Sequence, residues 1–131
     1  MENDGLEELK KAEIRKFLME FKKIMVTGRG LDIVNRLENM DALVQLGLTK
    51  KNLKEEVMTL SVENYCEGPV PNRDMHGDVW IFGKQIAGKE IYIKLKIAHV
   101  GKFKIAKCLS FHAANFPLCY PYRTEERKDE K

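Results

Sequence analysis

Glu90-Ile91-Tyr92-Ile93-Lys94-Leu95-Lys96-Ile97 alternates without a break: every odd position is aliphatic, and the even positions hold an acid, a tyrosine and two lysines. A period of two is that of a β-strand with one buried and one free face, so this stretch predicts a half-buried strand. A turn around Val100-Gly101 returns the chain as a second strand over Phe103–His112. Pairing apolar side chains across this hairpin brings Leu95 and Ile97 near Phe103 and Ile105, and Ile91 near Leu109 or Phe111. The even-numbered residues of both strands then share the opposite face. A shorter alternation, Val79-Trp80-Ile81-Phe82, predicts the strand before, with Trp80 and Phe82 read as core or aromatic wall.

Upstream the period changes to 3.6. Leu6, Leu9, Phe17, Leu18, Phe21, Ile24 and Met25 predict an amphipathic helix over residues 5–26, with Asp4 and Glu7 at capping-box spacing. Gly28 and Gly30 end it, and Leu31–Val34 predicts a short edge strand. A helix over Asp41–Leu46 ends at Gly47, and another follows the N-cap Thr49 to about Leu60 with Leu53, Val57 and Leu60 on its apolar face. The two glycines and two prolines of Gly68–Gly77 predict a loop. Helices followed by a meander of strands predict an α+β domain, its helices packed on one face of a small antiparallel sheet. The expected organisation is one domain over residues 1–123 and a charged tail over 124–131.

The chain has 131 residues, 44% hydrophobic and 33% charged, which fits a single water-soluble domain. No apolar run approaches the roughly 20 residues that span a bilayer. The acidic N-terminus does not read as a secretory signal, so the expected location is cytoplasmic. Cys66, Cys108 and Cys119 suggest neither a disulfide framework nor a zinc site. The net charge of +3 is mild but unevenly placed, because residues 78–123 hold eight Lys and Arg against only Asp78 and Glu90. A polyanion would meet that segment first.

The free face of the hairpin would offer Tyr92, Lys94 and Lys96 on one strand and Ser110 and His112 on the next, with Lys84 on the strand before. Lysines neutralise phosphates, a tyrosine stacks on a base or passes a proton, and histidine is the side chain that titrates near neutrality. Attack of a 2′-hydroxyl on its own phosphate needs a base and an acid, which His112 with Tyr92 or a lysine could supply. The competing explanation is a merely solvated sheet face. Other candidates are weaker. Asp74, His76 and Asp78 are polar residues expected of any Pro/Gly-rich loop, His99 sits beside a turn, and Cys108 shares the face of Tyr92 without a base. Gly28-x-Gly30 lacks the strand-before, helix-after setting of a phosphate loop.

Several runs together resemble a known family. They are Asp41–Thr49, Leu60–Tyr65 leading to Gly68-Pro69, Val79–Lys84, Tyr92-Ile93-Lys94-Leu95-Lys96, and Cys108–His112 through Pro117–Tyr122. In this order the chain resembles the MqsR-like toxins of type II toxin–antitoxin systems, over most of residues 6–122. The resemblance implies a RelE-like fold and a sequence-biased endoribonuclease that cuts mRNA, free or on the ribosome, without a metal or other cofactor. It also implies a cognate antitoxin of the DNA-binding helix-turn-helix kind, with or without a zinc-binding domain. Tyr92 and Lys94 match the family's Tyr-x-Lys strand, and His112 stands where its best-known branch has lysine. Glu67 and Ile81 depart from a lysine and a glutamine of that branch, which moves the expected catalytic set to Lys84, Tyr92, Lys94 and His112. Lys96, Lys104, Arg73 and Ser110 are then expected to hold the RNA. The second expectation is a catalytically inactive RNA-binding or regulatory relative.

Overall fold

A computed structural model describes residues 2–72 and 77–123. Helix α1 (Glu2–Thr27) leads into strand β1 (Leu31–Ile33), helices α2 (Leu37–Leu46) and α3 (Lys50–Met58), and a single 3₁₀ turn at Val62–Asn64. Strands β2 (Tyr65–Pro71), β3 (Asp78–Ile86), β4 (Lys89–Val100) and β5 (Phe103–Ala113) follow. The sheet order is β1-β5-β4-β3-β2. The last four strands form an antiparallel meander, and β1 joins its edge parallel to β5. This is the α+β arrangement that the change of period predicts. Among the described residues no helix is long and apolar enough to cross a membrane.

One core lies between the helices and one face of the sheet. Ile14, Phe17, Leu18, Phe21 and Met25 of α1 pack with Leu53, Val57 and Leu60 against Trp80, Phe82, Ile91, Ile93, Leu95 and Phe111. Phe17 stacks on Trp80 with ring centroids 4.6 Å apart, so both strand aromatics belong to the core. Leu6 and Leu9, expected on the same stripe, are exposed. Docking of α1 on the far edge of the sheet starts at Lys10, whose ammonium donates to Gly68 O at 2.9 Å and lies over the Tyr65 and Trp80 rings. The helix starts at Glu2, and the side chain of Asp4, expected in a capping pair with Glu7, lies outside the described residues. α2 begins four residues earlier than expected and ends at Gly47, whose φ of 72° is the left-handed conformation of a helix terminator. Thr49 caps α3 as expected, in a reciprocal pair of bonds with Asn52.

Two strand features depart from the expectations. Residues 68–71, expected in a loop, belong to β2. Prolines are excluded from central strands because they cannot donate, but β2 is an edge, and Pro69 and Pro71 are tolerated there beside two register shifts. Gly68 has φ 126°, and a Cβ there would lie 2.9 Å from Val79 O, so the strand needs glycine at this close crossing. The second departure is a bulge in β5. Lys94 pairs with Ser110 but Leu95 with Cys108, leaving Leu109 as the extra residue. The hairpin is also tighter than expected, pairing Val100 with Phe103 and Ile97 with Ala106.

Candidate functional site

In an antiparallel pair, residues opposite each other share a face. Tyr92 lies opposite His112 and Lys94 opposite Ser110, so these four expected residues stand together on the face turned away from the helices. The Tyr92 and His112 rings stack, with centroids 5.4 Å apart and planes 21° off parallel. The imidazole Nδ1 lies 2.9 Å from Ala113 O. A carbonyl can only accept, so Nδ1 carries the hydrogen and Nε2 of the neutral ring is left with the lone pair. Burial pushes the Tyr92 hydroxyl above the usual phenol range, and the neighbouring Glu67 and Cys66 push it the same way. Tyr92 is therefore held as a phenol, a proton donor.

These residues line an open cavity of about 310 Å³ whose other walls come from two segments outside the hairpin. Arg36 and Glu38 enter from the start of α2. Their position follows from Asn39, which is fully buried. β1 ends at Ile33, and beyond it the Asn39 amide takes over the pairing of β5: Nδ2 donates to Leu109 O at 3.1 Å and to Val34 O at 2.9 Å, while Oδ1 accepts from Phe111 N at 3.0 Å. One side chain thus replaces a strand residue and fixes α2 beside Ser110 and His112.

The opposite wall is Asn115, Phe116 and Leu118, in the strap that follows β5 and folds back over the sheet. Glu90 latches this strap, accepting from Leu118 N at 3.2 Å and from the Tyr120 hydroxyl at 2.9 Å. Gly83 makes room for it, because a Cβ at that position would come within 2.5 Å of Leu118 Cδ1 and 2.6 Å of Tyr120 Oη. Arg36 and Lys94 bring two formal positive charges against one carboxylate, Glu38, among the described lining residues, so the cavity favours an anion. An exposed Phe116 at the rim adds an aromatic surface.

The remaining expected residues lie elsewhere. Lys84 pairs with Ile91 on the helix-covered face, where its ammonium meets Glu56 Oε1 at 2.8 Å and Thr59 Oγ1 at 2.7 Å. Lys104 is also turned to the helix layer, because the β5 bulge inverts the alternation, and it pairs with Glu20 at 2.6 Å. The same inversion places Cys108 in the core, where burial pushes its thiol up to about 12, and takes it away from Tyr92. Lys96 is on the expected face but only 2% exposed, its Cε within 3.4 Å of the position a Cβ on Gly77 would take. It is a packed side chain and offers no open surface to a nucleic acid. His99 is exposed, as expected beside a turn. Arg73, with Asp74 and His76, lies outside the described residues, as does the 124–131 tail.

Arg36, Glu38, Asn115 and Phe116 carry no local sequence signal that joins them to the hairpin. Only the odd position of a polar Asn39 among Leu37, Met40 and Leu43 hints at a buried hydrogen-bonding task. No known protein family, curated protein or solved structure matches the chain.

Proposed function

We propose that the protein is a metal-independent endoribonuclease that cuts single-stranded mRNA by attack of a 2′-hydroxyl on the adjacent phosphorus, acting as the toxin of a type II toxin–antitoxin pair. The observation that supports this reading best is the Tyr92–His112 cross-strand pair beside Lys94 and Arg36 in one open cavity. In this reading His112 Nε2 takes the proton of the 2′-hydroxyl as the 2′-oxygen bonds to phosphorus. Tyr92 gives its proton to the departing 5′-oxygen as the phosphorus–oxygen bond breaks. Lys94 and Arg36 offset the charge that builds on the phosphoryl oxygens, and Ser110 adds a hydrogen bond. Phe116 offers a stacking surface to a neighbouring base. The products are a 2′,3′-cyclic phosphate and a 5′-hydroxyl. A ribonuclease free in its host's cytoplasm requires restraint, so the reading includes a cognate antitoxin that binds the protein and restores growth.

The test is incubation of the purified chain with single-stranded RNA in EDTA, followed by analysis of the new ends. Cleavage with cyclic or 3′-phosphate ends is expected. Activity that disappears in chelator and returns with a divalent ion overturns the reading. So does a chain that binds RNA without cutting it, which would make the protein an RNA-binding relative.

A further inference from the structure

A second cavity, about 500 Å³, lies along the outer side of β1. Its walls are Arg29 and Leu31 to Ile33 on one side and Lys50, Lys51 and Lys54 of α3 on the other. Four cations face this groove with one acid, Asp32, and that carboxylate is already engaged by Lys107 at 2.9 Å. Lys50, Lys51 and Lys54 are exposed and, among the described residues, have no carboxylate within ion-pair distance. Like charges at i, i+3 and i, i+4 on one helix face repel weakly, and an anion between them relieves that repulsion.

The groove and the candidate site are linked along the chain by residues 33–36. β1 runs parallel to β5, pairing Leu31 with Ala106 and Ile33 with Cys108, and Val34 N donates to Cys108 O at 3.0 Å. Two residues later Arg36 enters the first cavity beside Ser110 and His112. The chain passes from the second cavity at Ile33 to the first at Arg36 in three residues, a backbone path of at most about 11 Å, turning at Asn35, where Arg36 N–H donates to Val34 O at 2.9 Å. A strand with a phosphate in the first cavity reaches the second within a few nucleotides.

Resting on the ribonuclease reading above, we infer that the groove of Arg29, Lys50, Lys51 and Lys54 holds the phosphate backbone of the single-stranded RNA flanking the cleaved bond. The contacts are ammonium and guanidinium groups to phosphate, so the groove is indifferent to sequence and adds affinity in proportion to the length of strand it meets. An acidic protein segment is the other polyanion such a groove could take. RNA is favoured because the groove lies only a few residues along the chain from a cavity suited to a phosphodiester.

The test compares the wild-type chain with the Lys50→Ala/Lys51→Ala/Lys54→Ala variant; Arg29 is left in place because it also lies over the Phe103 ring. With an RNA of about 12 nucleotides, within the usual span of single-strand sites, the variant is expected to raise KM about tenfold while kcat holds. With a trinucleotide, too short to span both cavities, kcat/KM is expected to change less than twofold. Binding of a non-cleavable 2′-O-methyl strand is followed by anisotropy against salt. The slope of log K on log salt should fall by about two, since each phosphate contact on a single strand contributes about 0.7. Equal KM for the long RNA, with an unchanged salt slope, overturns the groove. Stronger binding of poly-glutamate than of the RNA strand overturns it in favour of an acidic partner. If the wild-type chain cuts nothing, yet the variant loses binding and salt dependence, the ribonuclease reading falls and the groove stands.

Discussion

Burial makes the Tyr92 hydroxyl hard to deprotonate, while the carbonyl of Ala113 commits one nitrogen of His112 and leaves the other to accept. If the pair divides donor and acceptor roles in this way, His112→Ala and Tyr92→Phe should each lower RNA cleavage by about 10²-fold or more with binding nearly intact. Lys84→Ala supplies the contrast. Removing its pair with Glu56 should cost about 1 kcal/mol in urea denaturation and leave the rate within about twofold, because it lies behind the sheet. A rate loss at Lys84 equal to that at His112 would refute the assignment. The placement of Lys84 was legible, in principle, from residues read correctly: Trp80 and Phe82 point to the core, and strand alternation commits Lys84 to the same side. Tyr92 and Lys94 could be found from alternation alone. Arg36 and Glu38 could not, since what brings them in is one buried amide, Asn39, acting about seventy residues away in sequence.

At the level of elements, the strap after β5 is a wall built by a single carboxylate. Glu90→Ala deletes the acceptor for both Leu118 N–H and the Tyr120 hydroxyl. Each lost hydrogen bond costs about 1 kcal/mol. Amide exchange over residues 114–120 is therefore expected to speed up about thirtyfold, and cleavage to fall several-fold as the cavity loses a side. Exchange at the wild-type rate would show that packing over Gly83, rather than Glu90, holds the strap. The elements themselves were legible wherever one period ran long enough, in α1 and β4 above all. β2 escaped because its prolines and glycines carry the composition of a loop, and only its position at an edge makes them acceptable. The β5 bulge escaped for another reason. Nothing in Ala106-Lys107-Cys108-Leu109-Ser110 marks an extra residue, yet that residue decides which side chains before it face the helices.

For the whole molecule, several protons are held more tightly in the folded chain than in the unfolded one. The Cys66 and Cys108 thiols, ordinarily at 9.0, are pushed to about 12, mainly by burial, and the Tyr65, Tyr92 and Tyr120 hydroxyls are raised as well, again mainly by burial. Groups raised by folding stabilise the fold fully below their unfolded values and lose that contribution as pH climbs to their folded ones. The melting temperature is thus expected to fall steadily from about pH 9 upward, as these values imply, and the slope should be shallower in Cys108→Ala once its lower starting stability is allowed for. A flat profile to pH 11 would count against buried, protonated thiols. The two borders of the sheet carry a different consequence. One is closed by prolines, and the other by a three-residue strand succeeded by the amide of Asn39. Among the described residues neither border presents a long regular strand edge, so the sheet resists lateral growth into fibrils or strand-exchanged aggregates.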